Sequence, residues 1–236
     1  FFQNFPHTLT SARFYYQELY RLLDARYDTV YGRADNPHFV ACKEVIADYF
    51  LGRSQLRQGA KILDVGCAEG ILCRFLARRQ MVAFGIEPSV PMVNYARATL
   101  GLSNIICGDY STDRFPVDYF DGIVVHTVAE HVVDIRGFFL SLSKHLRHGG
   151  YLLLQGPCVD NVKGYDKNHP VLWGTHIYGY SEKFLRQILS LYSFEVIECQ
   201  KTGGDLSGHD QVSIFDTDIS IWGIKSHSIS ILAKKI

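Results

Sequence analysis

The run Ile62-Leu63-Asp64-Val65-Gly66-Cys67-Ala68-Glu69-Gly70-Ile71 carries the strongest chemical signal in the chain. A short apolar stretch enters a turn bearing two glycines, and a helical apolar period opens directly after it. Gly66 and Gly70 place no Cβ in the way of a ligand, so the backbone can approach it closely. The N–H groups of such a turn, with the helix start behind it, offer donors to a carboxylate or a phosphate. The spacing is not the G-x-G-x-x-G of a dinucleotide site, and the G-K-[ST] of a P-loop is missing.

Three later features line up with this turn. Glu87 ends a second apolar run, in Gly85-Ile86-Glu87-Pro88-Ser89, 23 residues after Asp64. A carboxylate at the carboxyl end of a strand can accept both hydroxyls of a ribose. Gly108-Asp109-Tyr110 follows a third run, where an acid can accept from an adenine amino group and an aromatic ring can cover the base. Phe120-Asp121-Gly122-Ile123-Val124-Val125 forms a fourth, continued by His126-Thr127-Val128-Ala129-Glu130-His131-Val132. Singly, Glu87 reads as a helix-capping acid, Asp109 as a turn residue and Asp121 as a strand-start residue. Four such features in order, each at a strand's carboxyl end, point to one shared ligand.

Proton transfer near neutral pH usually falls to histidine, and His126, His131, His169 and His176 are the candidates. His131 reads equally well as a base or as a structural residue bonded to a loop carbonyl. His176 lies in the connection 156–180, with Asp160, Asn161, Tyr165, Asp166, Trp173, Tyr178 and Tyr180. Loops this long and aromatic are usually functional. Trp173 and Tyr178 are therefore expected to bind substrate, joined by Tyr27 and Tyr31 of the N-terminal segment.

The elements that must position these groups follow from periodicity. Residues 1–58 read as helical, with Phe14, Leu19, Leu22 and Leu23, then Val40, Val45, Ile46, Phe50 and Leu51 at helical spacing. From Lys61 onward, apolar strands alternate with helices: Ile62–Val65, Val82–Ile86, Ile105–Cys107, Gly122–Val125, Tyr151–Leu154, Phe194–Cys199 and Ser228–Ala233 are the strands. Ile71 to Arg79, Ser89 to Leu100, Asp134 to Leu146 and Ser181 to Tyr192 are the helices. That alternation predicts βαβ units, a mostly parallel sheet and helices on both faces. No helical pattern separates the last two strands, so the final one is expected to run antiparallel. The organisation expected is one structural domain, a helical cap or lid over 1–58 and an α/β core over 59–236.

The chain has 236 residues, with 24 Lys+Arg against 24 Asp+Glu and 47% hydrophobic residues. A sizeable core is affordable in area, and disorder is excluded. Zero net charge argues against a nucleic-acid or anionic-membrane partner, both of which need an excess of cations. No apolar run approaches the length of a membrane span. The six cysteines, at 42, 67, 73, 107, 158 and 199, form no CxxC pair and mostly sit in apolar runs, so reduced core thiols and a cytoplasmic location are expected. The start Phe1-Phe2-Gln3 lacks a Met, which suits a part of a larger polypeptide; a homodimer is the other assembly expected.

On these motifs the sequence resembles the class I S-adenosylmethionine-dependent methyltransferases, over roughly 60–236, and most closely their small-molecule branch. The resemblance implies a Rossmann-like, doubly wound seven-stranded sheet of order 3-2-1-4-5-7-6, its last strand antiparallel. It implies that Asp64, Gly66, Cys67, Ala68 and Gly70 form the loop at the methionine part of S-adenosyl-L-methionine, with S-adenosyl-L-homocysteine as product. Glu87 would bind the ribose, Pro88, Ser89 and Met92 would lie near the adenosine, and Asp109 and Tyr110 would meet the adenine. His126 and Thr127 would pass beside the sulfonium by their backbone.

Departures from the pattern restrict the chemistry. Ala68-Glu69 replaces the commoner Gly-Thr or Gly-Ser. His126-Thr127-Val128-Ala129 stands where enzymes acting on amino nitrogens of nucleic acids or glutamine carry N-P-P-Y or D-P-P-Y, and the double-Glu loop of arginine methyltransferases is absent. Some relatives hold a divalent metal with E-x-x-E-H; here Thr127 takes the first position, leaving Glu130 and His131, and no metal is expected unless another side chain completes the set. The implied activity is methyl transfer to a small-molecule acceptor, at oxygen first and carbon next, with His131 or His176 as base. Two alternatives stay open: a protein or RNA acceptor, and a non-catalytic methyltransferase-like module of a larger protein.

Overall fold

The computed structural model describes residues 2–3, 36–160, 176–202 and 228–236. Seven strands form one sheet: β1 (Lys61–Val65), β2 (Val82–Glu87), β3 (Ile105–Cys107), β4 (Phe120–His126), β5 (Leu146–Pro157), β6 (Phe194–Thr202) and β7 (Ser228–Lys235). Their order is 3-2-1-4-5-7-6. The first five are parallel, and β7 runs antiparallel to both β5 and β6. The helices are α1 (Pro37–Ser54), α2 (Ile71–Arg78), α3 (Val90–Ala98), α4 (Ile135–His145) and α5 (Glu182–Leu191).

The central strands read as unbroken apolar runs because both faces of the sheet are covered. Ile62, Val124, Leu153 and Leu232 turn to one face, against α1 and α2. Their neighbours Leu63, Ile123, Val125, Leu152, Leu154 and Ile231 turn to the other, against α4 and α5. The side-chain period of two thus feeds two cores from one sheet.

Three local readings are corrected. On α1 the buried stripe is Phe39, Cys42, Ile46, Ala47 and Phe50, whereas Val45 is 37% exposed. Strand β5 does not start after Gly149-Gly150; it reaches back to Leu146, which pairs with Phe120 across a bulge. Within 1–58, Phe2–Gln3 is extended and pairs antiparallel with Tyr178–Gly179. Helix α4 is capped by Asp134, whose Oδ1 accepts from Gly137 N at 2.9 Å, and α5 by Ser181. No helix among the described residues is long and apolar enough to cross a membrane.

Candidate functional site

The carboxyl ends of β1, β2, β3 and β4 open onto a cavity of about 390 Å³. After β1 the chain turns at Gly66 (φ +71°), and both Gly66 N and Cys67 N donate to Ile86 O, at 2.8 and 3.2 Å. Glycine is required here twice over: the conformation is left-handed, and a Cβ would collide with the Val128 side chain. Gly70 N closes the loop onto Cys67 O at 2.8 Å, at the start of α2.

Glu87 is fixed by its own surroundings. Oε2 accepts from Ala68 N at 3.0 Å and Oε1 from Ser89 N at 2.9 Å. The group lines the cavity, and an ionised carboxylate offers about four acceptor sites in all. Asp64 lies beneath the loop, 4% exposed, and its pKa rises to about 7. Burial is the main cause; nearby Glu87 adds to it, while Lys43 and the Cys73 thiol oppose it. Cys67 titrates well above the usual thiol range, first because of its contact with Cys73 and then through burial. All six cysteines are free thiols.

Ten of the residues expected to meet the cofactor line the cavity: Gly66, Cys67, Ala68, Glu87, Pro88, Met92, Asp109, Tyr110, His126 and Thr127. Asp64, Gly70 and Ser89 do not line it. They lie behind the wall, and Ser89 takes the N-cap position of α3 without a side-chain cap bond. Asp121 sits at the other end of β4, where its Oδ2 accepts from Lys61 N at 2.7 Å, as a strand-start residue does. The Tyr110 ring stands edge-on to Phe138 at 5.6 Å, and its hydroxyl is 3.0 Å from His145 Nδ1. Burial holds that phenol well above its usual range.

Past β4, a 3₁₀ turn over Ala129–His131 forms the far side of the cleft. It is tied to the 176–180 segment by Ile177 N donating to Glu130 O (2.7 Å) and Tyr180 Oη donating to Ala129 O (2.5 Å). This brings the two expected bases together: the rings of His131 and His176 are 4.9 Å apart at 65°. His131 lines the cavity, and His176 stands behind it. Glu130 is buried, and burial raises its carboxyl to about 8. The ligand atoms of Glu130, His131 and His176 lie within 4.8 Å of one another. Tyr178, expected at the substrate, is instead buried, and its hydroxyl donates to Val133 O at 3.0 Å, outside the cavity. Tyr27, Tyr31, Trp173 and His169 lie outside the described residues.

Among the cavity-lining residues that the sequence reading did not anticipate are Phe39 and Lys43, both on α1. Lys43 falls on the same helical stripe as Phe39, Ile46 and Phe50; a cation on an otherwise apolar stripe was the available signal. The opposite wall is apolar, with Val132, Val133 and Phe138. A clamped carboxylate, a second acid at Asp109 and aromatic and aliphatic walls fit the donors and flat apolar ring of an adenosine group.

Residues 38–199 match the family model described as "Methyltransferase domain". The chain is 30% identical over 139 residues to phosphoethanolamine N-methyltransferase 1 of Arabidopsis thaliana, covering 56% of this chain and 28% of that protein. It is 29% identical over 100 residues to the ubiquinone biosynthesis O-methyltransferase of Bradyrhizobium diazoefficiens, covering 41% and 39%. The chain thus spans less than half the length of these curated relatives. Among solved structures, geranyl diphosphate C-methyltransferase from Streptomyces coelicolor, in complex with Mg2+, geranyl diphosphate and S-adenosyl-L-homocysteine, superposes with a TM-score of 0.65 at 12% identity, over 91% of this chain and 85% of that one. With the sheet order and the matched model in agreement, the chain belongs to the methyltransferase domain family, as a class I S-adenosylmethionine-dependent methyltransferase.

Proposed function

We propose that this chain transfers a methyl group from S-adenosylmethionine to a small-molecule acceptor, at oxygen in the first place and carbon in the second. The observation that carries the reading is the Glu87 carboxylate, fastened by two backbone N–H groups at the end of β2 and facing the cavity beside the Gly66–Ala68 turn. S-adenosylmethionine supplies a methyl group already activated on a sulfonium. The chain's share is therefore alignment, exclusion of water and, for a hydroxyl acceptor, removal of a proton.

In this reading Glu87 accepts from the ribose hydroxyls, and Asp109 and Tyr110 bound the adenine. The backbone of His126 and Thr127 passes the reacting centre, and His131, with His176 behind it, faces the acceptor. Oxygen is favoured because His131 lines the cavity with His176 beside it, and an imidazole can take a hydroxyl proton near neutral pH. A cavity of about 390 Å³ suits a small molecule better than a macromolecular side chain delivered on a broad surface.

Calorimetric titration with S-adenosylhomocysteine tests the cofactor assignment: one site per chain is expected, and no binding by a folded sample would falsify it. Incubation with methyl-labelled cofactor and size-fractionated cell extract tests the acceptor. Label in the small-molecule fraction is expected; label confined to protein or RNA overturns that part.

A further inference from the structure

The 3₁₀ turn at the acceptor end of the cleft has a feature that methyl transfer from a sulfonium does not require. Glu130 is 1% exposed, and its Oε2 has no hydrogen-bond partner among the described residues. That oxygen lies over Gly156 of β5, close enough that a Cβ there would come within 3.3 Å. A buried carboxyl oxygen without a donor is expensive in free energy, and a fold retains one where something else supplies the missing partner. Two imidazoles supply the remaining donor atoms. His131 is the next residue in the turn, and His176 reaches it from the far end of the 156–180 connection.

We propose that Glu130, His131 and His176 bind a divalent metal ion of the zinc or cobalt kind at the acceptor side of the cavity. The three ligand atoms already lie within 4.8 Å of one another. Ligands of a tetrahedral ion sit roughly 3.4 Å apart at ordinary zinc–ligand lengths, so small side-chain rotations close the set. Both segments are held for it: Ile177 N on Glu130 O (2.7 Å), Tyr180 Oη on Ala129 O (2.5 Å) and Tyr178 Oη on Val133 O (3.0 Å) lock the turn against 176–180. Two nitrogens and one carboxylate favour a first-row ion over magnesium or calcium, which prefer all-oxygen shells. The sequence leads to the expectation of no metal, because Thr127 stands at the first position of the E-x-x-E-H pattern; His176 is the additional side chain that changes the reading.

Three protein ligands leave at least one position open, and His131, one of the three, lines the cavity. What the ion does there rests on the methyl-transfer reading. The acceptor hydroxyl coordinates the ion and releases its proton to bulk water. The resulting metal-bound oxygen attacks the methyl carbon: the O–C bond forms, the C–S bond breaks, and its electron pair stays on sulfur. His131 and His176 then serve as ligands, and the ion replaces them in lowering the acceptor's hold on its proton.

The test takes the full chain, stripped with a chelator and titrated separately with zinc, cobalt and magnesium. One equivalent of zinc or cobalt is expected, with visible d–d absorption from a four- or five-coordinate cobalt site and magnesium binding at least a hundredfold weaker. Glu130→Gln and His176→Ala should each weaken cobalt binding at least tenfold while S-adenosylhomocysteine titrates as in the wild type. In the unmutated chain, zinc should shift the ring-nitrogen resonances of two histidines, a readout that needs no variant. The proposal is overturned if wild-type protein that binds S-adenosylhomocysteine takes up neither zinc nor cobalt, if both variants keep wild-type metal affinity, or if no histidine resonance moves. Metal uptake as expected without any S-adenosylhomocysteine binding keeps the site and overturns the methyl-transfer reading instead.

Discussion

Lys43 Nζ lies 2.5 Å from Nδ1 of His126, which joins the middle of α1 to the carboxyl end of β4 across one wall of the cavity. An ammonium can only donate, so Nδ1 is the acceptor and the ring of His126 carries its proton on Nε2. The same cation acts on Asp64, favouring its ionised form. A helix outside the alternating β/α core thus acts on a ring that lines the cleft and on a carboxyl buried behind its wall.

Lys43→Met should release that control. The expected outcome is an S-adenosylhomocysteine affinity lower by about tenfold, about 1.4 kcal/mol, with a thermal midpoint close to wild type. Calorimetry reads the first, and histidine ring-nitrogen NMR should show His126 losing its single Nε2–H form. An unchanged His126 spectrum would remove the link between the two residues.

Glu87→Gln replaces one acceptor oxygen by an amide NH2 that faces a backbone N–H, either Ala68 or Ser89. Affinity for S-adenosylhomocysteine should fall by at least about tenfold, since a charge-assisted acceptor is lost and one loop donor is left unpaired. Titration of the variant beside wild type at one pH decides it.

Asp64 makes the fold more stable in acid. Its unfolded carboxyl titrates near 4, and in the folded chain it titrates at about 7. Between those values the folded state holds a proton that the unfolded state has lost, so stability falls as pH rises from about 4 to about 7 and then levels off. Lys43, Glu87 and Cys73 are charged or titratable groups that act on it. Urea midpoints at pH 5 and pH 8 should differ less in Asp64→Asn than in wild type, by free energy on the order of a few kcal/mol. An identical difference in both proteins would place the titration elsewhere.

Tyr180→Phe deletes the hydroxyl that donates to Ala129 O in the turn carrying Glu130 and His131. Losing one buried hydrogen bond costs about 1 kcal/mol and should lower the thermal midpoint by about 2–4 °C. Methyl transfer should drop further than that stability loss explains, with S-adenosylhomocysteine affinity unchanged, because the turn faces the acceptor. Paired melting, binding and turnover measurements separate these effects.

Gly66→Ala and Gly59→Ala form a matched pair. Both positions have positive φ, +71° and +80°, but a Cβ meets the Val128 side chain at Gly66 and open space at Gly59. Gly59→Ala should cost about 1–2 kcal/mol from backbone strain alone. Gly66→Ala should cost clearly more and also weaken cofactor binding; equal losses would show that Val128 yields freely.

The sheet was legible because its strands are covered on both faces, and Ile62–Val65 and Gly122–Val125 could be nothing but buried strands in that context. The absence of a helical pattern between 203 and 225 was enough to expect the antiparallel last strand. The phase of α1 was misread, since Val40, Val45 and Leu51 are apolar yet partly or largely exposed, and so Lys43 went unnoticed on the buried stripe. Strand β5 was cut short because Gly149-Gly150 reads as a break, whereas pairing with Phe120 carries the strand across it. Proximity of His131 and His176 had no local signature: it depends on Ile177 reaching Glu130, a pairing between segments 47 residues apart. Tyr178 was read as a pocket aromatic because composition does not reveal that its hydroxyl is already engaged by Val133.

Strand β7 lies between β5 and β6 although it follows both in the chain, and among the described residues β6 has no other strand neighbour. During synthesis β6 therefore emerges before β7, the strand it pairs with, and the flank of β5 that β7 covers waits until residues 228–235 arrive. The βα units before it can assemble as they are made; the last third waits for a single late insertion. Non-local closure of this kind is slow and leaves strand edges exposed meanwhile. A nascent chain arrested before β7 should thus be a protease-sensitive, chaperone-dependent species, and its release the step that commits the sheet.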